Sequence, residues 1–260
     1  MASIRPAPEF DQLADLYDET RGGEARGDEF ASLIAEHLPP PHADTVLEVG
    51  VGTGVVALGL AKRGYPVIGL DVSAPMLARA RQRLGPTVVL ADAMDLPLAA
   101  HSLTSAVSVW VVQSVPNPVR LFAQVARVLR PGGRYVVCTT QRPASDDAIG
   151  HIIDRMSRAV DERRTGKRPR GVSVEQVLEW SALAGFRGEV HPCERSFVSS
   201  PEGELDAIAR KSWPALRELD DSAAAEATRP AIEALRALPP GDTERRGFVD
   251  LIVLEPAAAP

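Results

Sequence analysis

The chain has 260 residues, a length that suits one large α/β domain or a core domain with a lid. Hydrophobic residues make up 45% of the chain and charged residues 25%, both ordinary values for a globular protein. The net charge of -6 argues against a nucleic-acid partner, because phosphate binding needs a basic surface.

Signals for export, membrane insertion or metal binding are missing from the sequence. The start, MASIRPAPEF, lacks the apolar stretch of a signal peptide, and no apolar run approaches the ~18 residues of a transmembrane helix. The cysteines, Cys138 and Cys193, form no CxxC pair, and the histidines are scattered. We therefore expect a cytoplasmic protein with no metal site and no membrane association.

Strands and helices alternate along the first half of the chain. Helical patterns cover 10–17 and 30–38, and the run Pro39-Pro40-Pro41 stops the second of them. Next come, in order, a strand at 45–49, a helix at 53–62, a strand at 65–70, a helix at 73–84, strands at 87–90 and 103–112, a helix at 118–130 and a strand at 134–140. This alternation predicts βαβ units and a parallel sheet, and the apolar strands indicate that helices cover both faces.

The second half of the chain is less regular. A helical stripe is expected at Ile149, Ile153, Met156 and Val160, followed by a basic stretch at 163–170 that is a mobile lid, an anion-binding loop or a solvated loop. Further elements are expected as a helix from a capping box at Ser173 and Gln176 to 184, a strand through 190–198, two helices in 201–238, a strand at 248–254 and a disordered tail at 256–260.

A glycine cluster gives the strongest functional signal. The segment 46–54, VLEVGVGTG, ends a strand, turns through three glycines and opens a helix, at a place where open α/β sheets bind ligands. Its spacing is GxGxG rather than the dinucleotide fingerprint GxGxxG, and Glu48 precedes the first glycine. A carboxylate there disfavours a pyrophosphate and favours a ligand with an ammonium and a sulfonium group. The cluster therefore favours S-adenosylmethionine (SAM) over NAD.

Two more acidic residues follow the next two strands. Asp71 ends the second strand, where a carboxylate can accept both ribose hydroxyls, although it could instead cap the helix that follows. Asp92 comes just after the third strand and could accept the adenine amino group, or serve only in a turn. Three acidic residues at three successive strand ends are far more specific than any one of them.

With these motifs the chain resembles the class I SAM-dependent methyltransferases, in the branch of ubiquinone/menaquinone-biosynthesis and natural-product methyltransferases. The resemblance is strong over about 10–140. It implies an α/β, Rossmann-like, seven-stranded, mostly parallel sheet with an antiparallel last strand, helices on both faces and a helical cap. It also implies four parts, namely N-terminal helices at 1–43 that close over the cofactor, a SAM-binding core at 44–140, remaining core elements with the cap at 141–247, and the last strand with the tail at 248–260.

The resemblance implies most of the cofactor contacts. The first motif is matched by Glu48 and the three glycines, and segment 129–133 matches the turn before the fifth strand. We add Trp110, either the wall beside the reactive methyl group or a core residue. The predicted cofactor-binding residues are Tyr17, Arg21, Glu48, Gly50, Gly52, Gly54, Asp71, Val72, Met76, Asp92, Ala93 and Trp110.

Residues for catalysis and substrate binding are less clearly marked. Many family members have a His after the fourth strand, where this chain has Gln113, which can position a group by hydrogen bonding but cannot act as a base. His151 is the best candidate base unless it is an exposed helix residue, and Tyr17 is a second catalytic candidate, since its ring could favour the cationic centre. Trp213 either lines an apolar substrate pocket or belongs to the core of the cap.

The sequence thus predicts an enzyme that transfers a methyl group from SAM to an O, N or C atom of a small-molecule metabolite, leaving S-adenosylhomocysteine. One alternative is a non-catalytic SAM-binding or scaffold protein of the same fold, and another is an NAD(P)-dependent oxidoreductase. A nucleic-acid acceptor is disfavoured because segment 113–116, QSVP, replaces the Asn/Asp-Pro-Pro-Tyr/Phe motif of many nucleic-acid methyltransferases. The sequence predicts no oligomeric state.

Overall fold

A computed structural model describes residues 8–41, 45–164 and 172–257. Residues 165–170 of the predicted basic stretch, and the last three residues of the predicted tail, lie outside the described residues. Within these ranges no helix is both long and apolar enough to cross a membrane.

The described elements follow the predicted alternation. The strands are β1 (Val46–Val49), β2 (Val67–Asp71), β3 (Val88–Leu90), β4 (Leu103–Val109), β5 (Leu129–Pro143), β6 (Phe186–Ser199) and β7 (Thr243–Pro256). The helices are α1 (Pro8–Asp11), α2 (Tyr17–Thr20), α3 (Gly23–Ala35), α4 (Val55–Lys62), α5 (Ala74–Leu84), α6 (Pro118–Val128), α7 (Ala148–Arg163), α8 (Val174–Leu183), α9 (Pro201–Ala209), α10 (Pro214–Arg217) and α11 (Asp221–Arg236).

Across the described ranges, seven strands form one sheet in the order β3-β2-β1-β4-β5-β7-β6. The pairs β1–β2, β1–β4, β2–β3 and β4–β5 are parallel, and antiparallel strands come near the end of the chain. The predicted seven-stranded, mostly parallel, Rossmann-like sheet is therefore confirmed. Strand order reverses between β1 and β4, which makes the carboxyl ends of these two strands the expected ligand crevice.

Contacts among the described residues divide the chain into two compact units. The first unit holds the residues up to 139, 172–191 and those from 251 onward, and the second holds 140–164 and 192–250. The core of the first unit packs α6 against the sheet through one apolar face of the helix, with Leu121, Phe122, Val125 and Val128 fully buried. Deeper in this core, the hydroxyl groups of Ser108 and Tyr135 share a hydrogen bond of 2.8 Å.

The second unit has its own helical core. Helix α7 contributes Ile149, Ile152, Met156 and Val160 to a cluster with side chains from α9, α10 and α11. A charged group also lies inside this unit, where the Arg245 guanidinium donates to both carboxylate oxygens of Asp147 at 2.9 and 3.0 Å. Ion pairs of this kind offset the cost of burying their charges.

Several element boundaries differ from those expected. The helix expected at 10–17 is divided into α1 and α2 by a turn, and three helices rather than two lie between 201 and 236. Strand β5 begins at Leu129 instead of 134, because the pairing with β4 shifts register between Leu103 and Ser105 and Gly132 takes a φ of 77°. The capping box at Ser173 and Gln176 is formed as predicted.

Close packing of α3 on α4 gives a first prediction. A Cβ atom added at Gly27 would lie 2.5 Å from the backbone carbonyl of Val55, so Gly27→Ala forces the helices apart. We expect the free energy of unfolding to fall by about 1–3 kcal/mol, although Ala is a better helix former than Gly by about 1 kcal/mol. Urea unfolding measures the change, and Ser32→Ala on the exposed face of α3 is the control. A Gly27→Ala protein as stable as wild type would contradict the close packing.

Candidate functional site

A cleft opens in the first unit at the carboxyl ends of β1 and β4. It holds about 520 Å³ of empty space, part of which is open to solvent. Six of the predicted cofactor-binding residues line it, namely Tyr17, Arg21, Glu48, Gly50, Gly52 and Trp110. Side chains from the glycine turn, α2 and α3 complete its walls, among them Asp18, Arg26, Phe30 and Thr53.

The glycine turn is shaped by backbone angles that other residues rarely adopt. Gly50, Gly52 and Gly54 have φ values of 71°, 54° and 83°. A Cβ at Gly50 would overlap the side chain of Val111, and one at Gly54 would lie 3.1 Å from the Cα of Ala80. A Cβ at Gly52 would meet no described atom within 4 Å, so this residue leaves its side of the cleft open. Packing therefore requires two of the glycines, whereas the third gives a ligand close access to the backbone.

Glu48 places a buried carboxyl group beside the glycine turn. The residue is 2% exposed, and its Oε2 atom has no hydrogen-bond partner in the described part of the chain. Burial raises the pKa of Glu48 to about 8, an effect increased by the Asp71 charge and opposed by the Ala57 backbone N–H in the first turn of α4. An unpaired buried carboxylate is costly, so this group is suited to a ligand that brings a cation.

Asp71 joins the end of β2 to the glycine turn. Its Oδ2 atom accepts a hydrogen bond from the Gly52 backbone N–H at 2.8 Å, and its Oδ1 atom accepts one from the Ser73 N–H at 2.9 Å. Burial raises the pKa of Asp71, and the backbone N–H groups oppose this rise. Ser73, not Asp71, is the N-cap of α5. The Val72 backbone N–H is a third donor to this carboxylate, which still has acceptor capacity for a ligand hydroxyl group.

The adenosine residues of the prediction lie farther along the same edge of the sheet. Asp92 follows β3 and accepts a hydrogen bond from the Met94 backbone N–H at 2.8 Å, which is also the geometry of a turn. Ala93 and Met76 are buried and Val72 is partly buried. The described residues that line the cleft include none of these four, and they do not include Gly54 or Asp71 either.

The N-terminal segment is fastened to the glycine turn by residues that the sequence analysis did not select. Asp18 accepts hydrogen bonds from the Thr53 hydroxyl group and, at 2.6 Å, from the Arg83 guanidinium. Arg83 also donates to the Thr53 carbonyl oxygen at 2.9 Å. Asp11 and Asp15 pair with Ser73 and Arg79 along the same helix α5. The sequence does contain a signal for these contacts. Asp11, Asp15 and Asp18 are spaced by four and three residues, which places acidic side chains on one face of a helical segment.

Trp110 forms one wall of the cleft. Its φ of 61° lies in the left-handed region, which is uncommon for a bulky residue and is typical of functional positions. The indole ring meets Phe30 edge-on at 6.0 Å, and the Arg26 guanidinium carbon lies 5.4 Å from the centre of each ring. The indole Nε1 atom is buried and has no hydrogen-bond partner among the described residues. This N–H therefore remains available as a donor.

The remaining predicted residues lie outside the cleft lining. Gln113 stands in the turn after β4, and its Oε1 atom is buried without a partner in the described ranges. His151 on α7 and Trp213 before α10 both belong to the second unit, where Trp213 packs against the helical core. Their roles as base and substrate residue stay predictions. The described residues show no group of three or more potential metal ligands.

The raised pKa of Glu48 gives a second prediction. A carboxyl group whose pKa is higher in the folded than in the unfolded state stabilises the fold at low pH, and this contribution is lost as the pH rises toward about 8. We expect the unliganded protein to lose stability between pH 5 and pH 8, and Glu48→Gln to flatten this decline.

Urea unfolding at several pH values measures the decline, and exposed Glu233→Gln serves as the control because it should leave the profile unchanged. A Glu48→Gln profile parallel to that of wild type would contradict a protonated Glu48 in the free protein.

Known proteins match this chain over the part that builds the cleft. A family model described as a methyltransferase domain matches residues 47–137. An uncharacterized methyltransferase of Mycobacterium sp. (strain JLS) is 32% identical over 203 residues, which cover 70% of this chain and 79% of the relative. The demethylmenaquinone methyltransferase of Symbiobacterium thermophilum is 31% identical over 149 residues, and the chain spans only 59% of its length.

Solved structures agree on the fold. The [4+2]-cyclase SpnF superposes with a TM-score of 0.63 at 21% identity, covering 98% of this chain and 97% of that one. An N-methyltransferase of Haemonchus contortus, solved with S-adenosylhomocysteine, gives a TM-score of 0.57 at 17% identity, covering 98% of this chain and 61% of that one. These likenesses concern the fold alone. Through its sequence relatives and its matching domain, the chain belongs to the family of SAM-dependent methyltransferases.

Proposed function

We propose that this protein is an enzyme that transfers a methyl group from SAM to an O, N or C atom of a small molecule. The observation that carries the proposal is the buried carboxyl group of Glu48, whose Oε2 atom has no partner among the described residues, beside a glycine turn that is open at Gly52. The ammonium group of SAM supplies the cation that this carboxyl lacks. A dinucleotide would instead place a pyrophosphate there, against a carboxylate.

The residues of the first unit suit the other parts of the cofactor as well. Asp71 retains acceptor positions for the ribose hydroxyl groups, and Asp92 lies one strand farther along for the adenine amino group. Tyr17 and Arg21 lie in the cleft lining with Glu48. The clasp between Asp18, Thr53 and Arg83 supports the proposal that the N-terminal helices close over the cofactor.

The cofactor supplies a methyl group already activated by a positively charged sulfur, so the protein has mainly to orient the reactants and exclude water. Orientation alone contributes up to ~7–11 kcal/mol to such reactions. The aromatic rings of Tyr17, Phe30 and Trp110 wall the cleft, and ring faces favour a cationic centre. The net charge of -6 supports a small-molecule acceptor over a nucleic acid.

Cofactor binding tests the proposal directly. We expect titration calorimetry to show that wild type binds SAM and S-adenosylhomocysteine and does not bind NADH. Asp71→Asn should weaken cofactor binding by about 1–3 kcal/mol, because a buried ribose contact is lost. The exposed Asp95→Asn is the matched control and should bind like wild type. Folded wild-type protein that binds neither SAM nor its product would refute the proposal, and NADH binding would support an oxidoreductase.

Methyl transfer separates an enzyme from a SAM-binding scaffold. We expect protein supplied with methyl-deuterated SAM and a pool of small metabolites to form S-adenosylhomocysteine together with one deuteromethylated product, detected by mass spectrometry. Glu48→Gln should reduce product formation in step with its weaker cofactor binding. Tight SAM binding without any labelled product from broad acceptor pools would favour the scaffold.

A further inference from the structure

Arg83, near the end of α5, contacts three other segments of the first unit through its guanidinium group. Its Nη1 atom donates to the Thr53 carbonyl oxygen at 2.9 Å, and its Nη2 atom donates to Asp18 Oδ2 at 2.6 Å. The Nε atom lies 3.4 Å from Glu24 Oε1. Each nitrogen atom therefore contacts a different segment, namely the glycine turn, α2 and the first turn of α3.

All three segments form walls of the cleft. The glycine turn contributes Gly52 to the lining, α2 contributes Tyr17 and α3 contributes Phe30. Arg83 itself is not among the described residues that line the cleft. It can therefore influence a bound ligand only through the wall segments that it holds.

The contacts of Arg83 with Asp18 and Thr53 form a closed ring of hydrogen bonds. In addition to the two bonds from the guanidinium group, the Thr53 hydroxyl group donates to Asp18 Oδ1. Thr53 is 1% exposed, and the side chains of Asp18 and Arg83 are each 21% exposed. Water and salt therefore screen this ion pair less than they screen one on the surface.

Two other contacts between the N-terminal residues and α5 lack these features. Arg79 lies one turn before Arg83 and pairs at 2.6 Å with Asp15, whose side chain is 87% exposed. Exposed ion pairs of this kind contribute little to stability. Asp11 accepts a hydrogen bond at 2.6 Å from the hydroxyl group of Ser73, the N-cap of α5. Neither of these two contacts includes a residue of the glycine turn.

Packing of α5 on the glycine turn fixes the place from which Arg83 acts. A Cβ atom added at Gly54 would lie 3.1 Å from the Cα of Ala80 and 3.2 Å from the side chain of Leu84. These two residues lie on either side of Arg83 in the last turns of the helix. The guanidinium group is therefore carried by a part of α5 that cannot approach the turn more closely.

On the basis of the proposed function, we infer that Arg83 is a positioning residue for the cofactor. Arg83 holds Asp18 against Thr53. Because Tyr17 and Arg21 lie within three residues of Asp18, the same contact keeps both of them in the lining of the cleft. Without Arg83 this wall opens, and a bound cofactor dissociates faster.

The role requires an arginine rather than any positive charge. A guanidinium group is planar and carries N–H donors on three nitrogen atoms in fixed directions, whereas the ammonium group of lysine is a single compact charge. A lysine in place of Arg83 could pair with Asp18, but it could not also donate in the directions of Thr53 and Glu24. Arg83→Lys therefore separates the effect of charge from the effect of geometry.

Rates of cofactor binding test the inference. Stopped-flow measurements first establish that wild type binds S-adenosylhomocysteine, a result that bears on the proposed function alone. We expect Arg83→Gln to bind this ligand roughly 10-fold more weakly, chiefly through faster dissociation, and Arg83→Lys to be similarly weak. Arg79→Gln is the matched control on the same helix and should bind like wild type. Wild-type affinity in Arg83→Gln or in Arg83→Lys would overturn the inference, and so would an equal loss in Arg79→Gln.

A double-mutant cycle tests the link between Arg83 and Asp18. The variants Asp18→Asn and Arg83→Gln remove the two ends of one ion pair, so their effects on affinity for S-adenosylhomocysteine should multiply to much less than the product of the two. The combination of Asp18→Asn with Arg79→Gln is the control, and its effects should multiply in full. Full multiplication in the Asp18 and Arg83 pair would refute a shared role.

Hydrogen exchange distinguishes positioning from a general loss of stability. In wild type, saturating S-adenosylhomocysteine should slow amide exchange in the glycine turn and in 16–23, the segment that contains α2. In saturated Arg83→Gln, the turn should stay protected while 16–23 exchanges as fast as in unliganded protein. Protection of 16–23 equal to that of wild type would contradict the inference. Loss of protection throughout the first unit would show that Arg83 only stabilises the fold, and would contradict it as well.

Discussion

The hydrogen bond from the Gly52 backbone to Asp71 is the contact on which the rest of the site depends. It joins the turn after β1 to the end of β2, and through the second oxygen of Asp71 it reaches the first residue before α5. Three backbone segments therefore hold one carboxylate in place. Because this carboxylate is fixed by N–H groups rather than by a cation, it keeps its remaining acceptor positions for a ligand.

Buried charge is managed differently in the two units. In the second unit, the Arg245 guanidinium donates two hydrogen bonds to the Asp147 carboxylate, so the charge of Asp147 is neutralised inside the protein. In the first unit, no described group pairs with Glu48 Oε2, and its burial raises the pKa to about 8. A paired charge of the first kind is structural. A buried carboxyl oxygen without a partner lowers the stability of the fold instead. Groups with such perturbed pKa values are concentrated at functional sites.

Local patterns were enough to predict most of the fold and the position of the site. The apolar runs and the glycine spacing marked β1 to β5 because each signal lies within a few adjacent residues. The clasp of Asp18 with Thr53 and Arg83 joins residues far apart in the sequence, and no local pattern shows which acid meets which arginine. The left-handed backbone conformation of Trp110 could not be predicted either, because tryptophan has no preference for that conformation. Sequence reasoning thus selected the acidic residues that we propose bind the cofactor, and it missed the groups that tertiary contacts bring together.

The division of the chain into two units also constrains how the protein can be divided into fragments. The second unit consists of two separate stretches, 140–164 and 192–250, and strands β5, β6 and β7 each run from one unit into the other without a loop between them. Neither unit is a continuous piece of sequence, so neither can be cut out by choosing two end points. A fragment limited to either unit would therefore have to cut through strands of the sheet rather than through loops.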